Sequence, residues 1–356
     1  LSKRTRYLRV NPRRPSPPAI GLAASIIRRG GLVAFPTETV YGLGANALSS
    51  KAVQAIFQAK GRPPDNPLIV HLGYRHQVRE IVSAVPPAAE LLVRRFWPGP
   101  LTLVLPSSGR VAKEVSAGLD TVAVRMPRHP VALALLRISR LPIAAPSANR
   151  SGRPSPTVGR HVLQDLRGRV DLILEAGYTE VGVESTVLDL TVQPPVLLRP
   201  GGITVEEIEE VIGDVRLDPS IYLLPSPDFL PRSPGMKYRH YAPRAPLFLV
   251  KGELGKIVER IVSLAQEARR SGQRVAILAS DETAPLYQDR IQPEVLQSLG
   301  TRADPARAAA HLYASLKVCD RYGVDLILAE AWPEDGLGLA LMNRLRKAAG
   351  YREILA

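Results

Sequence analysis

Apolar positions along this chain fall into short runs that alternate between two periods. Gly31–Phe35, Pro67–Leu72, Leu101–Leu105, Thr121–Met126, Val170–Leu174, Ser185–Leu190 and Val196–Leu198 are compact apolar runs bounded by Pro, Gly or polar residues, the pattern of strands. Between them, Ala88–Arg95, Pro130–Leu136, Thr157–Leu166 and Val205–Ile212 carry apolar residues at helical spacing, the last announced by a capping box of Thr204 and Glu207. A further helix is expected from Ser49 or Ser50, either a suitable N-cap, to about Ala59. Pro36–Ala47, between the first strand and that helix, reads as a loop. These elements predict one α/β unit ending near Val215, and the Pro-rich stretch 216–245, with no sustained period, reads as a linker. Beyond it the alternation resumes. Strands are expected at Leu247–Val250, Val275–Ala279 and Val324–Ala329, and helices at Gly255–Arg269, Pro305–Arg321 (capped by Asp304) and Leu339–Ala349. That rhythm predicts a smaller three-layer α/β/α unit with a mainly parallel sheet. The resulting division is a basic arm at 1–18, a first unit at 19–215, the linker at 216–245 and a second unit at 246–356.

Composition narrows this picture in three ways. At 356 residues the chain exceeds the roughly 100–200 residues of one domain, which agrees with two units. No run approaches the roughly 18 apolar residues of a membrane span. The N-terminal cluster Lys3, Arg4, Arg6, Arg9, Arg13 and Arg14 reads as a disordered basic arm, with a transit-like leader as the alternative. The lone Cys319 excludes an intrachain disulfide and sits in a helical pattern, as a buried structural thiol would. The six histidines show no metal-ligand spacing. A net charge of +14 favours polyanionic partners such as nucleotides, phosphates or RNA.

The chemistry-bearing residues gather in four places. PTETVYGLGANA (36–47) offers Thr37, Thr39 and Tyr41 hydroxyls beside Gly42 and Gly44, and is equally readable as an ordinary turn. KGRPPDNPLIVH (60–71) sets Lys60 and Arg62 at a helix C-terminus, either as capping cations or as a stiff phosphate clamp, and ends on His71, a buried histidine or a substrate contact. AAPSANRSGRPSPT (144–157) is turn-like, yet Ser147, Asn149 and Ser155 would also ring a phosphate or ribose. Arg125, Glu184, Ser185 and Arg199 lie in or beside apolar strands; a buried Arg125 needs an anion, and a ligand carboxylate or phosphate is favoured over an internal salt bridge. No P-loop, GxGxxG, catalytic triad or carboxylate pair is present, so the inventory fits positioning and charge stabilisation rather than covalent catalysis.

FPTETVYGLGANA, KGRPPDNPLIVH, WPGPLTLVL, VAVRMPRHP, APSANRSGRPSPT, ESTVLDL and LLRPGG, in this order, resemble the YrdC-like domain of the threonylcarbamoyl-AMP synthase family. SPGMKYRHYAPRAP and GLGLALMNRLRKAAG resemble the linker and C-terminal domain of its longer form, so the likeness spans nearly everything beyond Pro18. The resemblance implies a twisted mixed-sheet YrdC-like domain followed by a Rossmann-like α/β/α domain. It implies synthesis of threonylcarbamoyl-AMP and pyrophosphate from L-threonine, bicarbonate or CO2, and ATP, with Mg2+ on the ATP phosphates. By motif position, Lys60, Arg62, Ser147 and Asn149 match the family's catalytic Lys-Arg-Ser-Asn set. Asn66, Thr121, Ser155, Arg199 and Tyr241 match further ATP contacts, with Tyr238 the fallback for Tyr241. Thr39, His71, Arg125, Ala145 and Ser185 match a threonine pocket, and the linker tyrosine matches a lid. A cytoplasmic setting, a downstream tRNA threonylcarbamoyl-transferase complex as partner, no membrane, and weak direct tRNA binding are further expectations of this kind. The alternative reading is an RNA-binding protein that uses a basic YrdC-like surface.

Overall fold

A computed structural model of the chain describes residues 3–224, 226, 231–234, 236 and 240–356. The first eleven strands are β1 (Arg6–Arg9), β2 (Val33–Pro36), β3 (Tyr41–Asn46), β4 (Ile69–His71), β5 (Leu101–Pro106), β6 (Thr121–Arg125), β7 (Ile143–Ala144), β8 (Leu172–Glu175), β9 (Thr186–Asp189), β10 (Val196–Arg199) and β11 (Arg216–Leu217). They form one mixed sheet in the order β1-β8-β2-β3-β7-β4-β6-β5-β9-β10-β11. Because alternate strand residues face opposite sides, this sheet supports two cores. Ala34 and Leu43 join the helix Ser50–Lys60 on one face, while Val33 and Phe35 join the helices Pro17–Arg28 and Pro130–Ser139 on the other.

Five more strands, β12 (Leu247–Lys251), β13 (Val275–Ala279), β14 (Val295–Ser298), β15 (Leu326–Glu330) and β16 (Glu353–Leu355), form a wholly parallel sheet in the order β14-β13-β15-β12-β16. Leu247 and Leu249 pack on one side, and Val250 on the other. The mixed-sheet and three-layer architecture therefore has the expected form. Predicted caps also hold: Ser49 accepts from Ala52 N, Thr204 and Glu207 cap reciprocally, Asp304 accepts from Arg307 N, and Gly61 ends its helix in the left-handed conformation.

Several local expectations need correction. The described part of the N-terminal arm is built into the fold rather than disordered. Arg6–Arg9 pairs in parallel with β8, where Tyr7 packs on the core of Ala34 and Leu43 and Leu8 on that of Val33 and Phe35, while Arg6 and Arg9 at the two ends stay exposed. A capped helix follows at Pro17–Arg28, with Ser16 as N-cap. The stretch 36–47 is not simply a loop, since Tyr41–Asn46 forms β3 against β2. The close approach expected of its glycines holds at Gly44, where a Cβ would stand 2.7 and 2.8 Å from the Phe35 and Ile143 side chains. The helix Ala284–Arg290 and strands β14 and β16 were not foreseen, their runs being short and interrupted by polar residues.

Candidate active site

Strand register assembles one side of the site. His71 and Arg125 are partners between the parallel strands β4 and β6, and Thr102 faces Arg125 from antiparallel β5. Residues in register share a sheet face, so the three side chains stand in a row. β9 runs beside β5 and is preceded by Ser185, whose hydroxyl lies 2.8 Å from that of Thr102. Arg199, at the end of β10, donates from Nε to the Ser185 carbonyl at 3.0 Å and from Nη2 to its hydroxyl at 3.2 Å. Alternation within strands explains why these polar groups stay grouped while their neighbours are core residues.

Arg125 is buried at 3% exposure, and each of its three nitrogens meets a neighbour. Nε donates to Gly99 O at 3.2 Å, Nη1 to the Thr39 hydroxyl at 3.1 Å, and Nη2 lies 2.8 Å from Glu38 Oε1. Glu38 is equally buried, and its oxygens meet the guanidinium as an ion pair without hydrogen-bond alignment. The internal salt bridge is thus realised. A guanidinium has five N–H donors, so the contacts above leave hydrogens for a ligand. His71 is pushed down to about 3 by burial and by the Arg125 charge, and is therefore neutral near pH 7. Its Nδ1 lies 3.2 Å from Ile69 O.

The loop after β7 forms the opposite wall. Ser147 donates to Asn149 Oδ1 at 2.5 Å, and Asn149 Nδ2 donates to the Arg150 and Arg153 carbonyls at 2.9 and 2.8 Å. Lys60 reaches under this loop, donating to the Ser147 and Asn149 carbonyls at 2.6 Å each. Burial and the nearby Arg62 hold Lys60 well below the usual lysine range. Arg62 donates to the Asn66 and Pro67 carbonyls at 3.1 and 3.2 Å.

Thr39, Arg62, His71, Arg125, Ala145, Ser147, Ser185, Arg199 and Tyr241 line a single cleft of about 60 Å3. Lys60, Asn66, Thr121, Asn149 and Ser155 are not on that lining. Lys60 and Asn149 instead brace the loop from behind. Asn66 is fully buried, with neither amide atom hydrogen bonded. Thr121 begins β6, the far end of the strand from Arg125. Ser155 donates to Glu184 at 2.5 Å. Tyr241 is buried with φ of 63°, an uncommon backbone for a tyrosine, and Pro234 and His240 close the cleft beside it. Tyr238 lies outside the described residues.

Sequence reasoning missed the contribution of the second unit. Glu184 Oε2 accepts from Arg344 Nε at 2.7 Å and from the Tyr313 hydroxyl at 2.9 Å. Burial alone would raise the Glu184 carboxyl, but the Arg344 and Arg199 charges hold it near 2. Arg344 also lies over the Tyr241 ring, 5.4 Å from its centroid, and Tyr241 packs on Tyr313 at 5.3 Å. A basic residue in the last helix gave no signal of contact with residue 184. Glu38, which lies behind Arg125 rather than on the cleft lining, was also missed, although an acidic residue among the apolar and hydroxyl side chains of 33–41 was a visible anomaly.

Comparison with known proteins covers nearly the whole chain. Residues 25–201 match the Sua5_yciO_yrdC family model, described as telomere recombination, and residues 203–350 match the model of the threonylcarbamoyl-AMP synthase C-terminal domain. The chain is 52% identical to the threonylcarbamoyl-AMP synthase of Pyrococcus abyssi, over 94% of this chain and 95% of that one. It is likewise 52% identical to that of Bacillus subtilis, over 95% and 94%. The crystal structure of P. abyssi Sua5 complexed with L-threonine superposes with a TM-score of 0.92 at 49% identity, covering 99% of each chain.

Proposed function

The chain belongs to the threonylcarbamoyl-AMP synthase family, and we propose on that premise that its cleft joins L-threonine, CO2 from bicarbonate, and ATP into threonylcarbamoyl-AMP and pyrophosphate. The observation that carries this reading is the convergence of Arg62, Arg125 and Arg199 with Thr39, Ser147 and Ser185 on one small cleft.

In the proposed sequence the threonine nitrogen forms a bond to the carbon of CO2 and loses a proton, giving an N-carboxylate. One oxygen of that carboxylate then bonds to the α-phosphorus of ATP as the bond to the pyrophosphate oxygen breaks. Both steps gather negative charge, which fixed cations in a water-poor site stabilise without reorganising. Arg125 takes the threonine carboxylate, held in place by Glu38 and Gly99. Thr39, Ser185, Ala145 and neutral His71 shape the rest of that pocket. Arg62, Arg199 and Ser147 face the phosphates, and Lys60 and Asn149 keep the Ser147 loop in position. Asn66, Thr121 and Ser155 remain the outer nucleotide contacts suggested by motif position.

Among the described residues no group of three or more His, Cys, Asp or Glu side chains converges. The nearby carboxylates of Glu38 and Glu184 are already paired with arginines. That donor set does not suit a resident divalent ion, and Mg2+ would be held by the ATP phosphates rather than by these carboxylates. Ligand pockets usually measure about 300–1,000 Å3, far above the space found here, so Pro234 and His240–Tyr241 must withdraw to admit ATP. Their return excludes water from a labile mixed anhydride. The lability of such a product supports prompt transfer to an acceptor, and the downstream partner we propose is a tRNA threonylcarbamoyl-transferase complex in a cytoplasmic setting. No helix among the described residues is long and apolar enough to cross a membrane.

The test is pyrophosphate release with each substrate omitted in turn. Release should require L-threonine, bicarbonate and ATP together, and equal turnover with unrelated amino acids would overturn the assignment.

A further inference from the structure

A second cleft, of about 580 Å3, opens along the seam between the two units, away from the residues described above. One wall is the first turn of the helix Gly159–Leu166, with Arg160 and His161, continued by Tyr178 and Thr179. The other is the helix Pro305–Tyr322, whose Lys317 and Arg321 lie one turn apart on the same face. Its floor includes Gln297 and Ser298 at the carboxyl end of β14, the side of a parallel sheet where ligands bind.

Three features of this cleft call for an anionic occupant. Its lining holds three cations, Arg160, Lys317 and Arg321, and no carboxylate. Asp165 pairs with Lys317 at 3.0 Å and is not part of the lining. Arg160 and Arg321 are solvent-exposed, and neither makes an ion pair with a described carboxylate. Two lining residues are more than nine-tenths buried yet keep a polar atom without a partner: His161 Nδ1 and Thr179 Oγ1. Buried polar atoms are nearly always satisfied, and no protein atom satisfies these two, so both leave hydrogen-bonding capacity beside the open cleft. His161 is held down at about 3 by burial and by the charges of Lys317, Arg160 and Arg321, which reports the same positive field. At the mouth, Tyr178 is 61% exposed with the Arg160 guanidinium over its ring, an aromatic face beside the cations.

We propose that this seam cleft is a second ligand site that takes a nucleoside phosphate, the phosphate held between Arg160, Lys317 and Arg321 and the base set against Tyr178. It is separate from the cleft assigned to threonine and ATP, and does not depend on that assignment. An occupant would touch both units. It would also press on the helix that carries Tyr313, the Glu184 partner, and on the segment that runs from Thr179 to Glu184.

Histidine ring resonances of the full-length protein locate the ligand directly. His161 and His311 line the seam cleft, whereas His71 and His240 line the other. Added AMP should shift His161 and His311, and the double variant Arg160→Ala/Arg321→Ala should weaken that response about tenfold or more, the scale of lost charge-assisted contacts. Threonine-induced shifts of His71 should persist in the variant, which shows that it folds. A short single-stranded oligoribonucleotide distinguishes the source. Tighter binding than AMP with a steep salt dependence assigns the site to an RNA strand, and weaker binding assigns it to a free nucleotide. AMP shifts confined to His71 and His240, or an unaltered His161 response in the double variant, would overturn the site while leaving the synthase reading untouched.

Discussion

Arg125 meets its neighbours at three nitrogens, and a ligand carboxylate must share what is left. Glu38 supplies the resting counter-charge, and its attraction offsets part of a desolvation penalty of several kcal/mol per ion that burial imposes on both groups. Arg125→Ala should therefore lower kcat/KM for threonine by about a hundredfold or more, the scale of a lost buried charged contact, while KM for ATP changes little. Equal losses for both substrates would undo the assignment. Titration at the same residues has a definite sign. His71 and His161 have folded values near 3, far below the ordinary 6.5, so the unfolded chain binds more protons between those values. Their contribution to stability is complete above about pH 6.5 and is lost as pH falls toward 3. Glu184, lowered from 4.5 to about 2, adds a loss over that lower window. Denaturant midpoints should fall steadily from pH 6.5 to 3, and His71→Asn should flatten the upper part of that slope; an unchanged profile would show that His71 carries no such linkage.

At the scale of elements, the helix Pro305–Tyr322 binds the units together by close approach. A Cβ built on Gly182, where φ is 74°, would sit 2.3 Å from Ala310 Cα. Gly182→Ala should cost about 2–4 kcal/mol from overpacking and a left-handed backbone, read as a lower Tm, whereas a neutral result would mean that the two segments part easily. The helix pattern was legible in the sequence because its apolar residues recur at helical spacing and Asp304 caps it. The edge strands β1, β14 and β16 were not, because an edge strand needs apolar residues on one face only, and three or four residues carry too little pattern to separate it from a turn.

At the scale of the molecule, the second unit completes the first. Arg344 is fully buried against Glu184, and the seam core joins Val40, Val183 and Tyr241 to residues of the parallel sheet. Arg344→Met strips Glu184 of its main partner and should cost about 3–5 kcal/mol, the penalty for an uncompensated buried charge. A wild-type Tm would show that Ser155, Tyr313 and Arg199 suffice. Cutting the chain after Leu224 removes Arg344, Tyr313 and Tyr241 together, and should speed loss of the anhydride product to water; an unchanged yield would remove the lid. The sequence by itself determined most of the longer strands and helices of both units, several helix caps, and the motif residues Thr39, His71, Arg125, Ser147, Ser185 and Arg199, because periodicity, capping and motif spacing are local. Only the tertiary structure decided that Lys60 and Asn149 brace a loop rather than line the cleft. It also decided that Arg125 rests against Glu38, and that Glu184 is held by a helix 160 residues further along. Which buried charge meets which is set by strand register and by the docking of two separately patterned units, and neither is written in the period of any one segment.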